Sequence, residues 1–366
     1  MQQHQPNRSL PLSLALMVTI SSLGSITLAV QKVTAQVVVA VTGSVEWKPQ
    51  GGTKFNPVSR NMTLSQGNLL RLSQEASITI SCPNGRSTAW TTPGTSGLTQ
   101  ICPPARPTSG RVITPRNGAR DIPYAILPRA TAILFNQPVL RWNAAVGANR
   151  FTLTIRGREL NWTILVNKAE VCRGQICEFV YPGEPPLQQN TSYRLVIETD
   201  NGRSSSEETT GGLGFKLLDA TQSAEVNQII ERINTQNLPK ASKALTLANL
   251  YTSYNLISDA LQTLEAIPKP EKTAEIYRQL GDLYRQIALP LEAEIQYREA
   301  IAKATNNSFE LAAAQAGLGE VSYALGRRDA ALLFLQAAKT GYEALGDAER
   351  VTQLEERLIQ MRSSNG

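Results

Sequence analysis

Tyr277-Arg278-Gln279-Leu280-Gly281-Asp282-Leu283-Tyr284, followed by Ala293-x3-Tyr297-x2-Ala300, is the stretch that decides the reading of this 366-residue chain. Tyr277, Leu280 and Tyr284 recur at the spacing that lines one face of an α-helix. Gly281, Ala293 and Ala300 are small, so a second helix can approach closely while the aromatic rings fill the space between the pair. Pro290 suits the first turn of that second helix, where a missing N–H costs little. The pattern returns downstream as Gln315-x2-Leu318-Gly319, then Gly326, Ala331-x3-Leu335-x2-Ala338. A weaker copy lies upstream as Ala244-x2-Leu247-Ala248-x2-Tyr251, then Ala260-x3-Leu264. The alanines Ala260, Ala293 and Ala331 stand 33 and then 38 residues apart, so the helices around Thr305 are expected to be extended by about one turn.

These residues resemble the tetratricopeptide (TPR) signature, whose period is about 34 residues. The resemblance implies three helical hairpins plus flanking helices over residues 219–366, an all-α solenoid in which each repeat buries its apolar side against the next. The structural positions are then Tyr277, Leu280, Gly281, Tyr284, Ala293, Tyr297, Ala300, Leu318, Gly319, Ala331 and Ala338. In that family the first helix of each hairpin lines a concave surface that holds a peptide or a partner helix. Mapped here, the candidate partner-binding residues are Arg278, Asp282, Arg285, Gln286, Glu320 and Tyr323, with Glu275, Asn249 and Thr252 at neighbouring positions. Arg278 and Arg285 lie two turns apart and could hold a carboxylate. The competing reading is that Glu275, Arg278, Asp282 and Arg285 pair with one another at helical spacing. A last helix, Ala348 to Met361, carries Glu349, Arg350, Glu355, Glu356 and Arg357 and is expected to cap the stack against water.

Upstream the period changes to two. Val139 to Trp142, Phe151 to Ile155, Trp162 to Val166, Ile176 to Tyr181, Tyr193 to Thr199 and Gly214 to Leu218 alternate as strands, with turns such as Asn201-Gly202 between them. Trp142, and Leu187 six residues before Tyr193, resemble a fibronectin type III domain, an Ig/fibronectin-like β-sandwich over 131–218 with Trp142 in the core and Tyr193 at a tyrosine corner. Residues 36–104 read as a small all-β domain. There Gly43-Ser44-Val45, Gln66-Gly67-Asn68-Leu69-Leu70-Arg71 and Ala76 to Ile80 resemble the FecR-like domain, although Asn68 and Arg71 replace the Asp and Thr expected there. Between these domains, residues 105–130 read as a basic proline-rich linker: a solvated spacer or a contact strip built on Arg106, Arg111, Arg116, Arg120 and Arg129.

Residues 1–35 are read as a signal peptide: Arg8, an uncharged stretch from Ser9 to Gln31, and Val33-Thr34-Ala35 at the cut. The expected location is therefore periplasmic or extracellular, the rival being a membrane anchor made of residues 9–31. In an exported chain the four cysteines favour bridges, with Cys82–Cys102 and Cys172–Cys177 each closing a loop inside one segment. Their spacing lacks the C-x-x-C form of a metal site. Charge is uneven. Residues 36–130 hold ten Lys/Arg against three acids, residues 131–220 nine of each, and residues 221–366 fifteen against eighteen.

The lone histidine is His4, so the mature chain has no imidazole for a Ser-His-Asp or Cys-His nucleophile, nor for a metal. No phosphate-binding loop is present, because Gly211-Gly212-Leu213-Gly214 lacks a following Lys and helix. The adjacent pairs Glu207–Glu208 and Glu355–Glu356 point apart and read as solvated faces. No catalytic residue, metal or cofactor is expected, and no nucleic acid or small-molecule substrate. The architecture resembles bacterial envelope proteins, cyanobacterial ones in particular. It leads to a multidomain β + α chain that binds a protein or peptide in the cell envelope through its TPR surface. The alternative is recognition of an anionic glycan or peptidoglycan by the basic amino-terminal half.

Overall fold

A computed structural model describes residues 36–49, 52–64, 68–82, 87–102, 121–208, 213–305 and 308–363. The expected signal segment, His4, most of the linker and the start of the Gly211 run lie outside the described residues. The first part is all-β: β1 (Gln36–Thr42), β2 (Val45–Lys48), β3 (Asn56–Pro57), β4 (Thr63–Leu64), β5 (Leu69–Leu72), β6 (Ser77–Ser81), β7 (Ser87–Trp90) and β8 (Gly94–Gly97), closed by the one-turn α1 (Leu98–Ile101). They form two four-stranded sheets in the orders β4-β1-β6-β7 and β3-β2-β5-β8. Alternation in β6 sends Ile78 and Ile80 into a core shared with Val38, Leu70 and Leu98. Gly43 turns the chain between β1 and β2 at φ +73°, against the Ala76 backbone, where a side chain has no room. The Cys82–Cys102 disulfide ties α1 to the end of β6.

The second part begins earlier than its sequence pattern indicates. Its elements are β9 (Ala125–Leu127), β10 (Thr131–Ile133), β11 (Val139–Asn143), β12 (Arg150–Arg156), β13 (Asn161–Asn167), α2 (Lys168–Val171), β14 (Cys172–Arg173), β15 (Ile176–Val180), β16 (Ser192–Thr199) and β17 (Phe215–Leu217). One sheet runs β10-β17-β16-β12-β13 and the other β14-β15-β11-β9. All pairs are antiparallel except β10 with β17. The two sheets share one apolar cluster containing Trp142, Phe151, Ile155, Tyr181 and Tyr193. Tyr193 accepts a hydrogen bond from the Gln188 N–H at 2.7 Å, and Cys172–Cys177 pins the β14–β15 hairpin.

Residues 121–130, read from the sequence as the end of a solvated linker, are folded instead. Buried Asn143 accepts from the Tyr124 N–H and donates to the Ile122 carbonyl, which seats this stretch beside β11. Composition misled here because proline and arginine density marks extended chain, and a sheet edge is also extended.

The third part is helical: α3 (Ala220–Asn234), α4 (Lys240–Ser253), α5 (Ile257–Glu265), α6 (Ala274–Gln286), α7 (Pro290–Lys303), α8 (Phe309–Ala324), α9 (Arg328–Leu345) and α10 (Ala348–Ser363). Asp219, Thr273, Ser308 and Asp347 cap α3, α6, α8 and α10, each accepting a backbone N–H three residues on. Pro290 opens α7. The helices on either side of Thr305 are longer than their counterparts one repeat earlier, which accounts for the wider alanine spacing.

This array is not a free solenoid. Ile126 and Leu127 share an apolar cluster with Tyr277, Leu280, Tyr284 and Ile287. Arg129, expected among solvated arginines, is 1% exposed. It donates Nε to the Ile287 carbonyl at the end of α6, and its Nη1 binds Glu208 at 3.0 Å. Glu208 is therefore an ion-pair partner rather than part of a solvated face. Thr131 completes a helix from 126 residues away: its hydroxyl accepts the Ile257 N–H at 2.8 Å, the start of α5, which has no side-chain cap of its own. Arg141 on β11 binds Glu265, which also accepts from the Tyr284 hydroxyl.

At the other end, α10 does not face water at its start. The Lys48 ammonium donates to the Leu345 carbonyl at 2.9 Å, Ser96 is hydrogen-bonded to Glu349, and Asp347 is fully buried. Burial raises the Asp347 carboxyl above its ordinary range. The first β unit covers only the start of α10; further on the helix buries Leu354, Leu358 and Met361 on the array and leaves Glu355 and Glu356 exposed, the polar cap expected.

Candidate partner-binding face

Tyr297 organises the site. It projects from α7 and is fully buried between α6 and α8. A Cβ at Gly281 would stand 2.7 Å from its ring, and one at Gly317 would overlap the ring and come within 2.7 Å of its oxygen. The ring therefore fits only because both facing positions lack side chains. Its hydroxyl donates to Asp282 at 2.6 Å and accepts from Arg285 Nε at 3.3 Å. Burial, with the Asp282 charge adding to it, raises the Tyr297 phenol far above its ordinary range, so it stays a proton donor.

From this ring a polar ladder spreads across α6, α8 and α10. Arg278 is buried and reaches both Glu310 and Asp282 at 2.6 Å. Burial works against its charge, yet Glu310, Asp282 and Glu275 together hold it above the usual arginine range. Burial raises the Glu275 carboxyl, and repulsion from Glu310 adds to this. On the next helix Glu320 accepts both Nε and Nη2 of Arg357 at 2.8 Å. The same guanidinium lies 5.0 Å above the Tyr323 ring.

The residues expected to bind a partner are thus brought together, but unequally. Arg278 is already engaged by two carboxylates and is inaccessible, so the notion that it and Arg285 jointly hold a carboxylate of the partner is corrected. Helical spacing could not distinguish a buried α6–α8 tie from an outward charge. Asp282 stays 41% exposed at its side chain and Arg285 is exposed. Tyr323 and Glu320 are half-buried, and Gln286 is half-buried at the end of α6. Asn249 and Thr252, on α4, are half-buried, with the Thr252 hydroxyl returned to the Ala248 carbonyl. The eleven positions assigned to structure by the repeat pattern are all buried. Gly319 is one of them, facing Leu335, where a Cβ would lie 2.7 Å away.

Sequence reasoning missed Gly317 and Glu310, and gave Arg357 a capping role where the structure pairs it with Glu320. Gly317 carried a readable signal: a second glycine two residues before the repeat glycine must face the preceding hairpin, where the large residue is Tyr297. Among the described residues no cluster of His, Cys, Asp or Glu could hold a metal, and no helix is long and apolar enough to cross a membrane.

No family model and no curated protein matches the chain. Solved structures are similar over the C-terminal helical part. MamA is 19% identical, with 39% of this chain and 85% of that one covered at a TM-score of 0.28. BtubC from P. vanneervenii is 17% identical over 39% of this chain and 73% of its own, also at 0.28. A set of nearly identical TPR-like repeats from Podosopora anserina is 16% identical over 40% and 92%, at 0.27.

Proposed function

We propose that this chain is a non-enzymatic exported scaffold whose α6–α8–α10 face docks a protein or peptide partner. The observation that carries the reading is the set of half-open polar groups on adjacent helices: exposed Arg285 beside Asp282, then Glu320, Arg357 and Tyr323. Asp282 and Arg285 are tied to the buried Tyr297 hydroxyl and Arg357 to Glu320, so their geometry is set before a partner arrives, which lowers the ordering cost of binding. A mixed-sign line of this kind fits an extended or helical segment carrying both charges. In support of an Ig/fibronectin-like identity for the middle unit stand the buried Trp142 and the Tyr193–Gln188 bond. The two small sheets of residues 36–102 support the FecR-like reading.

Recognition of an anionic glycan by the basic half has less to draw on. Lys48 and Arg129 are bonded within the molecule and Arg71 pairs with Glu46, which leaves that reading to exposed Lys54 and Arg60 and to Arg86, Arg106, Arg111, Arg116 and Arg120 outside the described residues. The test is affinity capture from an envelope extract with the full chain, the Arg285→Ala/Tyr323→Ala variant and a 36–130 surface control, Arg60→Ala. Specific proteins retained by the wild type and Arg60→Ala but lost from the double variant would support the scaffold. Retention of wall fragments unaffected by the double variant and lost at moderate salt would overturn it.

A further inference from the structure

The strand Asn161-Trp162-Thr163-Ile164-Leu165-Val166-Asn167 forms one margin of the five-stranded sheet. Along its inner edge β13 pairs with β12 over all seven residues without a register shift. Among the described residues no strand pairs with its outer edge. Sheet edges in stable monomers are ordinarily blunted by lysine, proline, a bulge or short length. This one has none of these: it is long, regular and uncharged, and Leu165 is 60% exposed on its outer face.

The strand is symmetric about Ile164 at its ends and on its core-facing side. An antiparallel second copy centred there sets Asn161 opposite Asn167, Trp162 opposite Val166, Thr163 opposite Leu165, and Ile164 opposite itself. Polar meets polar at both ends and apolar meets apolar on the core-facing side. A slip by one residue would turn every side chain to the wrong face. Trp162 packs at the open margin of the core, 4.9 Å from the Tyr181 ring, and is only half-buried, so Val166 of a second copy would cover it.

We propose that β13 is a homodimer edge, joining two copies through antiparallel β13–β13 pairing centred on Ile164 into one continuous ten-stranded sheet. The pairing is isologous and closes on itself, so it yields a dimer and not a fibre. It does not depend on the helical face.

The experiment is sedimentation velocity on the full chain over a wide concentration range. The wild type should sediment as a dimer at high micromolar concentration. Thr163→Lys/Leu165→Lys sets lysine against lysine at two symmetric positions and should weaken the dimer by about tenfold or more. Thr163→Lys also removes the hydroxyl contact with Thr154, so the thermal midpoints are compared at a dilution where both proteins are monomeric, and there that of the variant should fall only slightly. Thr163→Lys mixed with Leu165→Glu should recover a heterodimer that neither forms as well alone. A wild type that stays monomeric throughout, a dimer indifferent to the lysines, or binding of an unrelated extended peptide without self-association would overturn the proposal.

Discussion

Replacing Gly317 by Ala tests the wedge on which the candidate face is built. In an open helix this change stabilises, because glycine is about 1 kcal/mol less favourable than alanine in a helix interior. In α8 the added methyl meets the Tyr297 ring, and the ring cannot retreat because Gly281 on α6 already touches its other side. Forcing an extra methyl into a packed core costs about 1–3 kcal/mol, and a ring clamped on both sides belongs at the upper end. The net expectation is a loss of about 1–2 kcal/mol, read as a lower urea midpoint with unchanged slope. The cause is isolated by repeating the substitution in a Tyr297→Leu background, where the smaller side chain leaves room. There Gly317→Ala should become neutral or favourable, giving a coupling of about 2 kcal/mol between the two sites. If Gly317→Ala raises the midpoint in the wild-type chain, or if the coupling vanishes, the ring does not wedge the helices as described. Capture of the partner should fall in parallel with stability, because Asp282 and Arg285 are both bonded to the Tyr297 hydroxyl.

Three further expectations follow from the contacts between the sheets and the helices. Arg129→Met strips the Ile287 carbonyl and Glu208 of a shared buried partner and should cost about 3–5 kcal/mol in denaturant unfolding, and Arg129→Lys should not restore it because a single ammonium cannot serve both groups. Thr131→Val removes the distant cap of α5 and should cost about 1 kcal/mol, with faster amide exchange at Ile257. Asp259, with burial raising its carboxyl to about 7, binds a proton in the folded state that it has lost in the unfolded state between its ordinary range and pH 7. Its contribution is thus present at low pH and is lost as pH rises through that window. Asp259→Asn should flatten the pH dependence of the melting midpoint between about pH 4 and 7; an unchanged slope would show that Asp259 is well solvated.

The helical hairpins were legible because their cause is local. Tyr277, Leu280 and Tyr284 share a face whatever lies beyond, and Thr273 and Ser308 cap the helices that begin just after them. The strands were legible for the same reason, down to β13 and β16, and the cysteine pairs followed from loop closure. Arg278 was harder: its spacing to Asp282 is consistent with either a surface pair or a buried tie, and only Glu310, 32 residues away on α8, decides between them.

What the sequence determined by itself is therefore everything set by periodicity and short-range sterics: the element types, the repeat, the need for small residues at Gly281, Ala293 and Ala300, and the absence of an imidazole nucleophile from 36–366. Tertiary structure alone decided that residues 121–130 are packed, with β9 at their centre, and not spacer, that Arg129 and Thr131 finish helices more than a hundred residues away, and that the first β unit covers the start of α10. Those contacts join groups distant in the chain. Their energy comes from burying polar atoms that must find partners, and no one-dimensional pattern records which partner the fold will bring.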